Sequence, residues 1–237
     1  MRQYKTDPDL PASTNPVTPA QEPAPSGDGR KNNAAATQVA LRAVGRRLFG
    51  QLGYEATSLG AICAEAGVTT GALYHHFGDK KGLFAAVAEE LDSSLVALTG
   101  KASARALAQG ADPWQAFLAA IDVFLQAGMN PEGRRIALTD APAVLGAQAW
   151  LEIRERQGLG AMAQTVRALQ SFGLLPRGNV RMQARLILGL LYGAIEALAQ
   201  QPEDTPTALD DARELVHAML EGLRGAGKNT ATALPQA

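Results

Sequence analysis

Residues 49–84 read FGQLGYEATSLGAICAEAGVTTGALYHHFGDKKGLF, and this stretch predicts two short helices joined by a tight turn. Thr57 and Ser58 are residue types that cap helix N-termini, and the apolar residues behind them recur at helical spacing. Gly67 is the residue that most easily takes the left-handed conformation closing a helix. The first helix is therefore expected to end at Gly67.

A second helix is expected directly after the turn, because Thr69 or Thr70 can cap its N-terminus. The two helices form a helix-turn-helix motif at residues 58–77, whose second helix would lie in the major groove of DNA. Side chains at the start of that helix meet base edges, whereas phenol, imidazole and ammonium groups beyond them suit phosphate oxygens. The predicted DNA contacts, with the cap residues of both helices, are Thr57, Ser58, Thr69, Thr70, Gly71, Ala72, Tyr74, His75 and Lys80.

These residues closely resemble the DNA-binding domain of the tetracycline-repressor (TetR) family. The resemblance rests on Phe49, Gly53, Tyr54, Thr57, Ile62, Ala66, Gly67, Val68, Gly71, Leu73, Tyr74, His76, Phe77 and Lys80. It implies an all-helical, homodimeric transcription regulator, usually a repressor, whose C-terminal domain binds a small molecule that releases DNA. Thr70 departs from the pattern, since many members carry Lys or Arg at that place, and it puts a phosphate or guanine contact common in the family in doubt.

The composition favours an all-α fold. Apolar residues make up 46% of the chain and are mostly Ala and Leu, with few aromatic residues. The predicted organisation is a disordered tail over 1–33, a three-helix DNA-binding domain over 34–82, a helical ligand-binding and dimerisation domain over 83–225, and a disordered tail over 226–237. A fourth helix is predicted to start at Asp79. Five further helical segments are predicted beyond residue 100, with breaks at Pro113, Pro131, Pro142, Pro176 and residues 202–206. Six of the thirteen prolines lie in the first thirty residues, which favours a solvated tail there, or an arm along DNA.

The charge is unevenly distributed along the chain. The net charge is −1, but residues 30–84 carry seven Lys or Arg against three Asp or Glu, and the residues after 84 carry thirteen against sixteen. The basic charge is thus concentrated in the part expected to bind DNA. One such domain would bind phosphates weakly, so the sequence predicts a homodimer on double-stranded DNA with a palindromic operator.

The single cysteine excludes an intramolecular disulfide framework and any multi-cysteine zinc site, so the cytoplasm is the expected compartment. Cys63 lies on the apolar face of the first motif helix, where it is either a core residue or an exposed thiol sensor. No uninterrupted apolar run long enough for a membrane span is expected, and the N-terminus lacks the apolar core of a signal peptide. No cofactor or metal is predicted.

Aromatic and apolar residues cluster in the C-terminal half. The candidate lining of a ligand pocket is Trp114, Phe117, Ile121, Phe124, Leu138, Asp140 and Trp150. Ordinary core packing explains the same apolar residues. Asp140 stands between apolar neighbours, where its carboxylate would either contact a ligand or cap a helix that begins before Pro142.

The last two predicted helices have apolar faces wider than burial on one side requires, and small residues there would let helices approach closely. Two such helices from each of two subunits would form a four-helix dimer interface. The predicted interface residues are Leu186, Leu190, Gly193, Ala194, Leu215, Met219 and Leu220. His217 between them is interpreted as an interface or core residue rather than a pH switch.

An enzyme is not indicated. His75 and His76 are adjacent, so on a helix they point in different directions and do not form the same-face pair that a metal needs. The expected function is a DNA-binding regulator, released from its operator by an unknown, small apolar or amphipathic ligand. The alternative is a helix-turn-helix protein whose C-terminal domain only dimerises or binds a partner protein, with no ligand.

Overall fold

The computed structural model describes residues 27–201 and 207–232, and in these ranges the chain forms helices and no strand. The helices are α1 (Gly27–Leu52), α2 (Leu59–Ala66), α3 (Thr70–Phe77), α4 (Lys80–Ala108), α5 (Pro113–Gly128), α6 (Pro131–Arg134), α7 (Ala141–Leu145), α8 (Ala147–Arg154), α9 (Gly160–Ser171), α10 (Val180–Ala199) and α11 (Ala208–Thr232). Two π-helical segments, Arg135–Asp140 and Glu155–Leu159, join α6 to α7 and α8 to α9. The predicted all-α fold is confirmed.

The helix-turn-helix forms through local caps. The Ser58 hydroxyl accepts a hydrogen bond from the amide of Ala61 and starts α2. Gly67 ends α2 with a φ of +67°, a conformation that costs glycine little. The Thr69 hydroxyl then accepts from the amide of Ala72 and starts α3. Each of these bonds spans three residues or fewer, which is why the sequence predicted both helices.

Both predicted tails are partly helical. Helix α1 begins at Gly27 rather than at Ala34, and α11 continues to Thr232 instead of fraying after Gly225. Neither extension contains a proline, and adding residues to an existing helix costs far less than starting one. The remaining tail residues, 1–26 and 233–237, lie outside the described residues.

Helix α4 runs from the DNA-binding unit into the C-terminal half. The Asp79 carboxylate accepts from the amide of Gly82 and caps its N-terminus, as predicted. The chain turns closely there, since a Cβ on Gly82 would lie 2.0 Å from the carbonyl oxygen of Phe77. The helix then packs against α1 and α5. It forms a continuous helical connection between the two halves.

The chain does not break at Pro142, contrary to the prediction. The π-helical segment passes directly into α7, and the proline stands in the first turn of α7. The helical run stops instead at Gly146, where φ is +89°. Pro113 and Pro131 each occupy the first turn of a helix, and Pro176 lies in the loop before α10, as expected.

The side chains form two apolar cores. The first, called the N-terminal core below, contains Leu41, Leu48, Phe49, Ile62, Cys63, Leu73, Leu83, Phe84, Val87, Ala88, Ile136, Ala141, Trp150 and Ile153. The second is built mainly from α5, α9, α10 and α11. Ile136, Trp150 and their neighbours therefore pack against the DNA-binding helices, so the packing does not divide at residue 83. Cys63 is buried in this core, which agrees with the core interpretation.

Helix α10 is long and apolar enough to cross a bilayer by length and composition alone, although no such span was expected. Ala184, Ile187, Leu191, Ile195 and Leu198 of this helix are buried against other helices. Its apolar composition is therefore explained by core packing on one side and by the exposed face described below.

Candidate DNA-binding surface and ligand cavity

Helix α3 presents an open polar face. Thr69, Thr70, Gly71 and His75 are exposed, and Tyr74 is 52% exposed. Leu73 on the opposite side is fully buried and fixes the helix on the N-terminal core. Most of the predicted base-reading and phosphate-binding residues thus share one accessible surface, and Ala72 beside them is half-buried.

The two threonines at the start of α3 are not equivalent. The hydroxyl of Thr69 is engaged by the amide of Ala72 at 3.2 Å. The Thr70 hydroxyl makes no hydrogen bond with any residue of the described ranges. The Thr70 hydroxyl is therefore the more available of the two for contact with a base, because the Thr69 hydroxyl also caps α3.

Thr57 was predicted to contact DNA, but its side chain is not accessible for such a contact. Its side chain is 1% exposed, and its hydroxyl lies 2.7 Å from the carbonyl oxygen of Gly53 and 3.2 Å from that of Leu48. The hydroxyl ties the end of α1 to the start of the motif. Ser58 is exposed, and its hydroxyl oxygen is the cap of α2.

Lys80 is held by the loop after α1. Its ammonium donates to the carbonyl oxygen of Glu55 at 3.2 Å and lies 4.4 Å from the centre of the Tyr54 ring. An ammonium has three donors, so the others remain available for phosphate. The loop thus positions the Lys80 charge at the end of α3, next to the exposed Lys81.

Three arginines of α1 have partners or neighbours outside the face of α3. Arg42 pairs with Glu90 and Arg47 with Glu65, while Arg46 lines the first cavity described next. The basic charge counted along the sequence is therefore partly balanced by ion pairs. Lys80 and Lys81 follow α3 closely in the chain.

Two neighbouring cavities lie between α4 and the C-terminal helices. The first has a volume of about 340 Å³ and the second about 250 Å³, and both are lined by Asp92, Leu95 and Tyr192. Leu138 and Trp150 line the first cavity; Phe117, Ile121 and Phe124 line the second. Five of the seven predicted pocket residues are thus at a cavity wall.

Trp114 and Asp140 line neither cavity, contrary to prediction. Trp114 is buried in the C-terminal core, with its indole N–H donating to Glu221. The Asp140 carboxylate accepts from the backbone amide of Tyr54 at 2.9 Å and caps no helix. Asp140 therefore joins the C-terminal half to the loop before the helix-turn-helix, a role that neither sequence interpretation anticipated.

Asp92 is the most unusual polar group of the cavities. Its side chain is 8% exposed, and its Oδ2 atom has no hydrogen-bond partner. Burial raises the pKa of Asp92 to about 6, against the lowering effects of the Arg154 guanidinium and the Gly158 backbone amide. At neutral pH this carboxylate is therefore mainly ionised, with one oxygen unpaired inside the protein.

Tyr192 and Arg154 form the wall beside Asp92. Burial raises the pKa of Tyr192 to about 12, so the phenol stays neutral. The Arg154 guanidinium carbon lies 3.4 Å from the centre of the Tyr192 ring and 5.8 Å from that of Trp150. The cavity thus combines aromatic surface with one anionic and several cationic groups.

Sequence reasoning missed Asp92, Arg154 and Tyr192. One signal for Asp92 was present: it stands four residues after Ala88 and three before Leu95, on the apolar side of α4. An acid at that place in a buried helix face marks a site. Arg154 and Tyr192 had no comparable signal, because their neighbours come from other helices.

The segment from α6 to Asp140 contacts the cavity and the DNA-binding unit at once. Gly133, Arg134, Ala137 and Leu138 line the first cavity. The residues between and around them face α1: Arg135 donates to the carbonyl oxygens of Gly50 and Gln51, and a Cβ on Gly50 would lie 2.6 Å from Glu132 Cβ. One short segment therefore has the cavity on one side and the end of α1 on the other.

Exposed apolar residues mark the face of α10 and α11. Leu186 is 66% exposed, Leu215 and Met219 are also exposed, and Gly193 lies open beside them. Leu190 and Ala194 are half-buried at a groove of about 440 Å³ between the two helices. Leu220 was predicted for the same face, but it is 1% exposed and packs inside the C-terminal core, because it lies on the opposite side of α11.

His217 lies half-buried on α11, with its Nε2 atom 2.9 Å from a carboxylate oxygen of Asp122 on α5. The contact connects two helices of the C-terminal domain. It agrees with the interpretation of His217 as a packing residue.

Comparison with known proteins gives matches to both halves of the chain. Residues 41–87 match the model of bacterial regulatory proteins of the tetR family, and residues 114–223 match that of the tetracyclin repressor-like C-terminal domain. The crystal structure of a TetR-family transcriptional regulator from Pectobacterium atrosepticum is 32% identical, with a TM-score of 0.62, over 81% of this chain and 96% of that one.

Two further relatives span most of the chain. The HTH-type transcriptional regulator AcrR of Shigella flexneri is 28% identical over 81% of this chain and 91% of its own length. RolR, solved in complex with its ligand resorcinol, has a TM-score of 0.62 at 17% identity over 87% of this chain and 99% of that one, a likeness of fold alone.

Proposed function

Because this chain belongs to the tetracycline-repressor (TetR) family of helix-turn-helix transcriptional regulators, we propose that it represses genes from a palindromic operator and is released by a small molecule. The proposed unit is a homodimer in the cytoplasm, with one α3 helix in each of two successive major grooves. The relatives are regulators, and a non-enzymatic role for this chain agrees with that.

The observation that carries the ligand-responsive proposal is the position of the segment Pro131–Asp140. A molecule in the first cavity would press on Gly133, Ala137 or Leu138, which share this segment with the residues that hold the end of α1. Since packed elements move as units, a shift of this segment would move α1 and with it the helix-turn-helix that follows α1 in the chain. Ligand binding and DNA binding would thereby be coupled.

Homodimerisation is proposed through α10 and α11. Their exposed apolar residues and open glycines fit a four-helix interface with a second copy of the chain. A dimer also doubles the phosphate contacts that one domain makes, which a domain of modest charge needs for tight binding.

The first test is selection of bound duplexes from a random-sequence pool with the purified full-length protein. A recovered palindrome with half-sites about one helical turn apart supports a dimeric sequence reader. Recovery of no preferred sequence at moderate salt would refute the proposal of an operator-binding regulator.

The selected duplex then allows a test of the α3 surface. Tyr74→Ala should weaken binding to the selected site and to unrelated duplexes by a similar factor, because phosphate contacts carry no sequence information. Phe172→Ala is a matched control, since Phe172 is an exposed aromatic residue outside the motif. Equal binding by Tyr74→Ala and the parent at the same salt concentration would contradict the phosphate assignment.

The alternative is a C-terminal domain that dimerises or binds a partner protein without any ligand. The buried, unpartnered oxygen of Asp92 at the cavities favours a ligand, because an ordinary core rarely leaves such an atom unpaired.

A further inference from the structure

The cavity chemistry identifies a class of effector, and this inference rests on the proposed ligand-responsive function. The first requirement comes from Asp92. Its Oδ2 atom is buried, unpartnered and at the wall shared by both cavities. A carboxylate oxygen only accepts hydrogen bonds, so the occupant must supply a donor such as a hydroxyl group.

The second requirement comes from the remaining charges of the first cavity. Arg46, Arg134 and Arg154 line it, whereas Asp92 is its one acidic lining residue. Within the described residues, none of the three arginines forms an ion pair with a carboxylate at salt-bridge distance. A cationic ligand would satisfy Asp92 but would meet the half-buried guanidinium groups of Arg134 and Arg154 and the exposed one of Arg46, and such like-charge contacts are unfavourable. The cavity therefore disfavours a cation and favours an anion.

The third requirement is the position of the anion. Arg154 lies against the Tyr192 ring and acts on the charge of Asp92, so it belongs to the donor end of the cavity. Arg46 on α1 and Arg134 on α6 remain for an anionic group. A carboxylate is the anion that guanidinium groups bind best in planar, two-bond geometry.

The fourth requirement is the body between the two ends. Leucines from α4 and the rings of Trp150 and Tyr192 surround it. The first cavity, at about 340 Å³, is roughly twice the ~150 Å³ of an apolar cavity that takes up one benzene ring. A flat body of about two fused rings fits this space.

From these four requirements we propose that the effector is an aromatic carboxylic acid with a hydroxyl group at its far end. The hydroxyl donates to Asp92, the ring system packs against the α4 leucines and Trp150, and the carboxylate binds Arg46 and Arg134. Since Arg46 belongs to α1, the carboxylate contacts the DNA-binding half of the protein directly. The ligand thus spans from α4 to the helix that supports the motif.

The test is isothermal titration calorimetry on the full-length dimer with four matched probes. These are 6-hydroxy-2-naphthoate, 2-naphthoate without the donor, 2-naphthol without the anion, and naphthalen-2-ylmethylammonium with a cation in place of the anion. We expect the hydroxy acid to bind about tenfold or more tightly than either compound lacking one group, since each adds a charge-assisted hydrogen bond. The ammonium compound should bind most weakly.

Two variants assign the two ends. In Asp92→Asn, the hydroxyl group of the probe should increase the affinity by about threefold or less, while the increase in affinity from the carboxylate should stay the same. In Arg134→Gln, the increase in affinity from the carboxylate should be reduced, while the increase from the hydroxyl group should stay the same. Asp210→Asn and Arg105→Gln are controls, because both residues lie outside the cavity lining, and neither should change the pattern.

Tightest binding by the ammonium compound, or an unchanged hydroxyl gain in Asp92→Asn, overturns the assigned class. The same holds if none of the four probes binds up to about 1 mM. Failure of this inference is separable from failure of the proposed function, because duplex selection needs no effector. A protein that selects a palindrome but binds no probe is a regulator with an effector of another class.

Discussion

Replacing Asp92 by Asn removes the ionisable group from the cavity wall while keeping the side-chain shape, and we expect this variant to be more stable than the parent at neutral pH. Burial raises the pKa of Asp92 from 3.8 to about 6 in the folded protein. An acid with a higher pKa in the folded state than in the unfolded state binds protons preferentially when folded. The ionised form therefore destabilises the fold.

The size and the pH window of the effect follow from this shift. Below about pH 4 the group is protonated in both states and costs nothing; as the pH rises through about 6, the folded state must also ionise it. A shift of about two units corresponds to ~3 kcal/mol at pH 7 and above. The amide of Asn needs partners of its own, which costs ~1 kcal/mol, so the expected net gain is about 2 kcal/mol.

The assay is thermal unfolding of parent and variant, followed by the helical circular dichroism signal at equal protein concentration over a series of pH values. For a chain of this size, about 2 kcal/mol corresponds to a Tm higher by about 4–8 °C at pH 7 to 8. Near pH 4 only the ~1 kcal/mol cost of the amide remains, so the Tm of the variant should be lower than that of the parent by about 2–4 °C. Asp210→Asn is the control, because Asp210 pairs with Arg213 at the surface and such pairs contribute little. A difference in Tm that does not grow with pH, or a parent more stable than Asp92→Asn at pH 8, would refute the reasoning.

Three further predictions concern the joints and the interface. Gly82→Ala should lower the free energy of unfolding by about 2–3 kcal/mol, measured by urea denaturation, because its Cβ would lie 2.0 Å from the Phe77 carbonyl oxygen; an unchanged midpoint would contradict this. Asp140→Ala should speed hydrogen exchange at the Tyr54 amide about tenfold, since that amide loses its acceptor, and equal exchange rates would show that the bond does not restrain the loop. Leu186→Glu should sediment as a monomer in analytical ultracentrifugation, because it buries a charge in the proposed interface, and an intact dimer would place the interface elsewhere.

The DNA-binding motif could be predicted because it depends on local rules. The hydroxyl of Ser58 or Thr69 accepts from the amide three residues ahead, and a glycine at position 67 closes the helix before it. The same rules located the start of α4 at Asp79. Such signals lie within a few consecutive residues, so they can be recognised without knowing the rest of the fold.

The direction of a side chain was harder to predict than the helix that carries it. Thr57 is next to Ser58, yet one is buried and the other exposed. Met219 and Leu220 are likewise adjacent on α11, but only the first reaches the surface. Adjacent side chains on a helix point about 100° apart, so a prediction that is wrong by one residue confuses a core residue with an interface residue.

The candidate cavity depended on tertiary structure to a greater degree. The aromatic cluster on α5 indicated its general location, and five predicted residues do line it. The sequence did not predict that an oxygen of Asp92 lacks a hydrogen-bond partner, because this depends on which groups the surrounding helices place near it. The groups that surround Asp92 come from α8, α10 and the segment between α8 and α9.

By itself, the sequence determined that this protein is all-helical and carries a helix-turn-helix, because caps and apolar periodicity act within a few residues of one another. Only the tertiary structure decided that the carboxylate of Asp140 holds the amide of Tyr54, 86 residues earlier, and that Asp92 stands unpaired between two cavities. Burial and the choice of hydrogen-bond partner depend on which helices meet in space, and helical periodicity specifies the apolar face of a helix without specifying its neighbour.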